Sequence, residues 1–264
     1  MIKILALTKK NWSVYNSRLQ ELEHVAEYPY GNDFFKLNHG ISYFSFFERL
    51  GEPIFHIAVD GERVVACASG VLRDIPTSSG ILKSWYLCDL KVHPSYRSHR
   101  IPTKLFRKNL FFNYLRCGRA YAVSMNPNQG ENRVVKMTEK LPYFPIGLEA
   151  QLNIFSLNWQ QMKNASRDIQ KIVGPLSYLS LAGKKDLIMK STGERLDLLH
   201  VQHGPLAEMQ LMEPQQNSTH MICALQGSPL DLVLTSTLEA SATASIISYR
   251  MNGTDWNFVL TSDI

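Results

Sequence analysis

The chain has 264 residues, 45% of them hydrophobic, and 28 lysines and arginines against 23 aspartates and glutamates give it a net charge of +5. That apolar content supports a packed core and excludes a disordered chain, and the length suits two modest domains. The basic residues are spread out except around Arg97 to Lys108, which suits a single anionic ligand better than a nucleic-acid face, and no apolar run is long enough to span a bilayer.

Ile2 to Leu7 reads as a first strand, too short for the apolar part of a signal peptide, so a cytoplasmic protein is expected with neither nucleic acid nor membrane as partner. Leu19, Leu22 and Val25 place a helix over Trp12 to Tyr28, which Pro29-Tyr30-Gly31-Asn32-Asp33 breaks. A second helix, from about Ile41 to Leu50, is rich in aromatics. Ile54 to Val59 and Arg63 to Leu72 form a hairpin around Asp60-Gly61-Glu62.

From Leu87 to Pro94 the apolar Cys88, Leu90 and Val92 alternate with Asp89, Lys91 and His93, the pattern of a strand ended by proline. A basic loop follows, and then a helix from about Pro102 to Leu115 with its proline near the first helical position. A strand feeding a helix through such a loop presents free N–H groups and a positive dipole end to an anion, best read as a phosphate. Ala120 to Met125 gives another strand, and Leu152 to Leu157 a strand that closes the sheet.

The run Leu90-Lys91-Val92-His93-Pro94-Ser95-Tyr96-Arg97-Ser98-His99-Arg100-Ile101-Pro102-Thr103-Lys104-Leu105 resembles the acyl-CoA-binding motif of the GNAT superfamily of N-acetyltransferases. In that family a V-x-P-x-Y-R approach and an R-x-x-G-x-G/A loop lead into a helix whose N-terminus holds the pyrophosphate of coenzyme A. Val92, Pro94, Tyr96, Arg97, Ile101 and Leu105 fit this pattern, while the two glycines fall on Arg100 and Pro102. Glu131 to Phe144 resembles the family's last helix through Arg133, Glu139, Lys140 and Leu141, with Thr138 where a tyrosine often protonates the departing thiolate.

The resemblance covers roughly residues 1 to 158 and implies an α/β (α+β) fold, a GNAT-like mixed sheet flanked by helices. It implies acetyl-CoA or another acyl-CoA as donor and a small-molecule or peptide amine as acceptor. By resemblance, the backbone of Leu90, Lys91 and Val92 holds the pantetheine arm, and Arg97, Ser98, His99, Arg100, Ile101, Thr103 and Lys104 surround the pyrophosphate. Candidate catalytic residues are Asp89, Tyr86 and Thr138. Asp89 reads as a base or orienting group, or else as a carboxylate that faces solvent or pairs with a nearby lysine. Tyr86 or Tyr143 could replace the missing acid, since a threonine hydroxyl scarcely ionises. The implied activity is acyl-CoA-dependent N-acyl transfer; the alternative is a catalytically silent GNAT-fold ligand sensor or interaction protein.

A fainter second copy follows, giving a division into residues 1–160 and 161–264. Gly61-Glu62-Arg63 recurs as Gly193-Glu194-Arg195, and Cys88 and Pro94 match Cys223 and Pro229 at equal spacing. In this register Leu230 to Tyr249 is a helix and Trp256 to Leu260 the following strand, making a smaller GNAT-like C-terminal unit without a basic loop. Cys67, Cys88, Cys117 and Cys223 lack any C-x-x-C spacing and read as reduced core residues, and His200 and His203, three apart, would face opposite sides of a strand, so no metal site is expected.

Overall fold

The computed structural model describes residues 2–30, 33–77, 80–139, 146–208 and 210–264. Strand β1 (Lys3–Leu7) leads into helix α1 (Trp12–Glu23), which buries Leu19 and Leu22. The helix stops short of the expected Tyr28, because Tyr28–Tyr30 forms β2 against β3 (Asp33–Asn38). Helix α2 is a short segment, Ser45–Leu50, followed by β4 (Glu52–Asp60) and β5 (Arg63–Thr77), which pair around Gly61 as a hairpin. Strand β6 (Gly80–Val92), α3 (Ile101–Arg116), β7 (Ala120–Met125) and α4 (Arg133–Glu139) complete the first half.

The second half runs β8 (Gly147–Leu157), α5 (Trp159–Val173), β9 (Leu176–Ser180), β10 (Asp186–Met189), β11 (Leu198–His203), β12 (Thr219–Leu225), α6 (Pro229–Thr235) and β13 (Ala242–Tyr249). Asn158 caps α5 by accepting from Gln161 N–H while the Gln161 side chain accepts from the Asn158 N–H, a reciprocal box that fixes the helix start at residue 159. The expected domain boundary at 160 therefore falls at the first turn of α5.

Ten strands make one mixed sheet in the order β1-β4-β5-β6-β7-β13-β8-β12-β11-β9, and β10-β3-β2 make a second, small sheet. All neighbours in the large sheet are antiparallel except β6 with β7 and β11 with β12. The run β5-β6-β7-β13 is thus answered in reverse by β9-β11-β12-β8, each with its parallel pair in the same place. Alternation along β4 sends Phe55, Ile57 and Val59 into a core with α1 and α2, and Ala58 into a core with Ile101 and Leu105 of α3 on the opposite face.

This topology corrects the register of the internal repeat. Strand β8 does not close the first half on β7; β13 lies between them, so each half is completed by a strand from the other. The partner of β6 in the second half is β11, not the Cys223 strand β12, and among the described residues no α-helix joins β11 to β12. The expected helix over Leu230 to Tyr249 ends at Thr235, and Thr243, Ile246 and Ile247 carry the chain into β13, where branched side chains pack on the sheet. Trp256 to Leu260 is not a strand but begins with a 3₁₀ turn, Trp256–Phe258. The Gly193-Glu194-Arg195 tripeptide does sit in a turn, closed by a bridge between Ile188 and Arg195. Among the described residues no helix is long and apolar enough to cross a membrane.

Candidate active site

The site begins where β6 and β7 part. These parallel strands are in register only at Trp85 with Ala120 and Tyr86 with Tyr121; from Leu87 and Ala122 onward no ladder joins them. On the other side of β6, β5 keeps pairing, but Asp89 and Leu90 together face only Ala68, so β6 bulges. Asp89 takes φ 58°, a left-handed conformation uncommon outside glycine that turns the strand outward. Parting and bulge together leave a slot with a strand edge along one wall.

At the end of that slot, Pro94–His99 forms a 3₁₀ turn and Arg100 sits at φ 52°, ψ 32°, immediately before α3. The backbone conformation associated with a glycine is thus adopted by an arginine. Pro102 occupies the second helical position and contributes no N–H, whereas the Lys104 N–H already bonds the Arg100 carbonyl at 3.3 Å. The N–H groups of Ile101 and Thr103 remain for an anion, with the exposed Arg97, Arg100 and Lys104 around them. Ile101 is fully buried, so its part is played by backbone alone. The side chains of Ser98 and His99 lie outside the described residues, as do Lys140, Leu141 and Tyr143.

A cavity of about 600 Å³ runs inward from the slot, touching Thr103 and Thr138 in the first half and Lys185, His200 and Met221 in the second. Asp89 and Lys91 form its polar wall. Lys91 Nζ is in contact with an Asp89 carboxylate oxygen and lies 2.5 Å from Glu23 Oε2 and 3.1 Å from Tyr43 Oη. Tyr43 donates to Asp89 Oδ2 at 2.7 Å, and Tyr28 donates to Glu23 Oε1 at 3.2 Å. His39 Nε2 stands 3.4 Å from Glu23 Oε2. Side-chain exposure is 2% for Asp89 and Glu23 and 9% for Lys91, so three charged groups share one desolvated cluster.

The charges account for the titration behaviour. Burial opposes the Lys91 ammonium, but Asp89, Tyr28 and Glu23 overcome it and hold the amine well above its usual range. Burial also opposes ionised Glu23, and Lys91 with His39 holds its carboxyl below the usual range nonetheless. The Cys67 thiol and Tyr43 phenol are pushed far up by burial and by the Asp89 charge, and burial pushes Cys88 to about 12, so neither thiol is a thiolate near neutrality. Among the described residues all four cysteines are free and no group of His, Cys, Asp and Glu could hold a metal ion.

Of the two readings of Asp89, pairing with a neighbouring lysine is what the geometry displays, and that lysine is Lys91, two residues along the same strand. Tyr86 lies in the cavity wall stacked on Tyr121 at 5.0 Å, and burial first, then Cys88 and Tyr121, raise its phenol, making it a poorer acid. Thr138 reaches the cavity but donates its hydroxyl to the Val135 carbonyl at 2.7 Å, which removes it as a proton donor to a ligand. Leu90 is 40% exposed, and Val92 packs toward Ile101 and Leu105. Tyr43 belongs to the aromatic-rich stretch read as the second helix, whereas His39 and Cys67 carried no site signal and Glu23 only the hint of a carboxylate on the buried stripe of α1, four residues after Leu19.

No protein-family model matches the chain. An uncharacterized protein of Acanthamoeba polyphaga mimivirus is 24% identical over 233 residues, spanning 84% of this chain and 68% of its own length. Among solved structures, a tandem GNAT protein from the clavulanic acid biosynthesis pathway is similar over 97% of this chain and 100% of its own, at 10% identity and a TM-score of 0.48. A Trypanosoma brucei acetyltransferase is similar over 54% of this chain and 92% of its own, at 18% identity and a TM-score of 0.37.

Proposed function

We propose that the protein is an acyl-CoA-dependent N-acyltransferase that moves an acetyl or longer acyl group to an amine. One observation carries this reading: β6 and β7 part beside a bulge and directly before a helix entered through a left-handed residue, which gives an extended arm and an anion adjacent places to bind. The residues fit coenzyme A, with Pro102 costing one backbone donor and Arg97 and Arg100 supplying charge in its place. When bound, the coenzyme supplies a thioester whose carbonyl carbon accepts the amine nitrogen.

The chain's own part is positioning and charge. Because Trp85 N–H faces β7, donating to Arg119 O at 3.0 Å, alternation turns the N–H and C=O of Leu87 into the gap, where they bind an extended amide. Lys91 balances one of the two carboxylates, Glu23 and Asp89, so the cluster draws a cationic amine, and Asp89, the one of the two that lines the cavity, takes the proton that amine must lose. Proximity of the two reactants can supply much of the rate without a dedicated acid.

Calorimetry with acetyl-CoA and longer acyl-CoAs tests this reading, with Arg97→Ala/Arg100→Ala as control. Saturable binding that the double variant loses places the pyrophosphate at the start of α3, and an amine screen then follows; no binding of any acyl-CoA refutes it. The commitment of the Thr138 hydroxyl to Val135 favours a second reading, a silent ligand sensor, which binding without turnover of any amine would support.

A further inference from the structure

The cavity is lined by a cation, Lys185, that has no ion-pair partner among the described residues. Two other cations, Arg49 and Lys91, act on it through space, and both are paired. Arg49 is paired with Glu208 and, at 3.3 Å, with Asp263; Lys91 is paired with Glu23 and Asp89. Lys185 lines the cavity, and among the described residues no carboxylate oxygen lies within ion-pair distance of its Nζ. Its neighbour is instead the Phe46 ring, with the centroid 4.3 Å away. An aromatic face offsets part of a cation's desolvation but supplies no counter-charge. Burial first, then the Arg49 and Lys91 charges, draw the Lys185 amine down to about 8, with Glu23 and Cys88 opposing.

A second polar group in the same wall is also incomplete. His200 is 3% exposed, and its Nδ1 lies 3.1 Å from Thr261 Oγ1. The Thr261 hydroxyl donates to the Met221 carbonyl at 2.9 Å, so Nδ1 carries the proton and Nε2 is left as a bare acceptor without a partner. Around these two groups the wall is apolar: Phe46, Phe47, Leu198 and Met221.

We infer that Lys185 binds the carboxylate of an apolar acceptor, so that the amine substrate is a hydrophobic amino acid or another amine that carries a carboxylate. The inference deepens the acyltransferase reading, and the binding site itself is testable without it. An anion opposite Lys185 gives that amine the partner that Arg49 and Lys91 already have, and the aromatic and aliphatic wall accommodates the ligand's apolar body. A buried cation unmatched in the protein is costly on its own and becomes favourable only when a ligand supplies the charge.

The probe is phenylacetate against its neutral isostere phenylacetamide, titrated into the full chain and into Lys185→Met, which keeps an unbranched apolar stem. Phenylacetate is expected to bind roughly ten- to a hundredfold more tightly than phenylacetamide, as for a charged hydrogen bond, and Lys185→Met to erase the difference. In the unsubstituted chain, NMR of reductively ¹³C-methylated Lys185 should show its pKa rising as phenylacetate binds. Equal binding of the two probes, or a preference that survives in Lys185→Met, overturns the proposal. Retained phenylacetate binding under saturating acetyl-CoA assigns the carboxylate to the acceptor; displacement by succinyl-CoA but not acetyl-CoA would move it to the acyl donor and overturn the acceptor assignment. Failure of acyl-CoA to bind at all refutes the enzyme reading and leaves the two-probe comparison intact.

Discussion

Arg100 offers a direct test of whether this loop retains the backbone of a glycine turn. At φ 52° and ψ 32° its Cβ crowds the following carbonyl, which costs a non-glycine residue about 1–2 kcal/mol. Glycine removes that strain but loses about 0.5–1 kcal/mol through the freedom it gains in the unfolded chain. Arg100→Gly should therefore be more stable than Arg100→Ala by about 1 kcal/mol, since both lack the guanidinium and only alanine keeps the strain. In a chain of 264 residues this corresponds to a difference in Tm of about 2–4 °C by calorimetry. Comparing the two variants with each other removes charge from the result, and both should bind acyl-CoA more weakly than the parent. Equal melting temperatures, or a less stable glycine variant, would refute the claim that residue 100 is held left-handed.

Lys91→Met should destabilise by about 3–5 kcal/mol in urea unfolding, because it leaves Glu23 and Asp89 buried without their cation, whereas the surface pair Lys171–Asp168 should be removable at almost no cost. Gly40→Ala should also lose stability in thermal melts, because Gly40 is at φ +63° and an added Cβ would meet the Gly183 carbonyl oxygen at 2.0 Å. His200 is held neutral, its folded pKa lowered by burial to about 3 from 6.5, so the unfolded chain binds one proton more between those values. Its contribution is present above pH 6.5 and lost as pH falls toward 3, at about 1.4 kcal/mol per unit; the stability–pH profile of His200→Asn should be flatter than the parent's in that window, and superimposable slopes would contradict the assignment.

The elements of the first half were legible because each rests on local chemistry: Gly61 in a hairpin, Pro94 after a strand, Pro102 opening a helix. The partners of the strands were not. Nothing in the alternation of β8 says that its neighbour is β13 rather than β7, since an antiparallel strand buried on both faces accepts either. The β-branched residues of β13 carried a strand signal that the repeat register overrode. At the site, the motif located the slot and the helix start, but the conformations of Asp89 and Arg100 are set by tertiary packing on residue types that give no warning of a positive φ. The Lys91 cluster gathers from α1, the segment before α2 and β6, which are distant in sequence and joined only by the fold.

The place of β13 between β7 and β8 also sets an order of assembly during synthesis. When residues up to 157 have emerged, β7 has one parallel neighbour at its first two residues and an open edge, while β8 has no partner on either side. Both edges wait for residues 242–249 and 219–225, so the first half cannot be finished before the other half is made. Exposed edges of this kind pair with other chains, which makes the nascent first half dependent on prompt elongation or on a chaperone and makes a protein cut near residue 160 prone to aggregate.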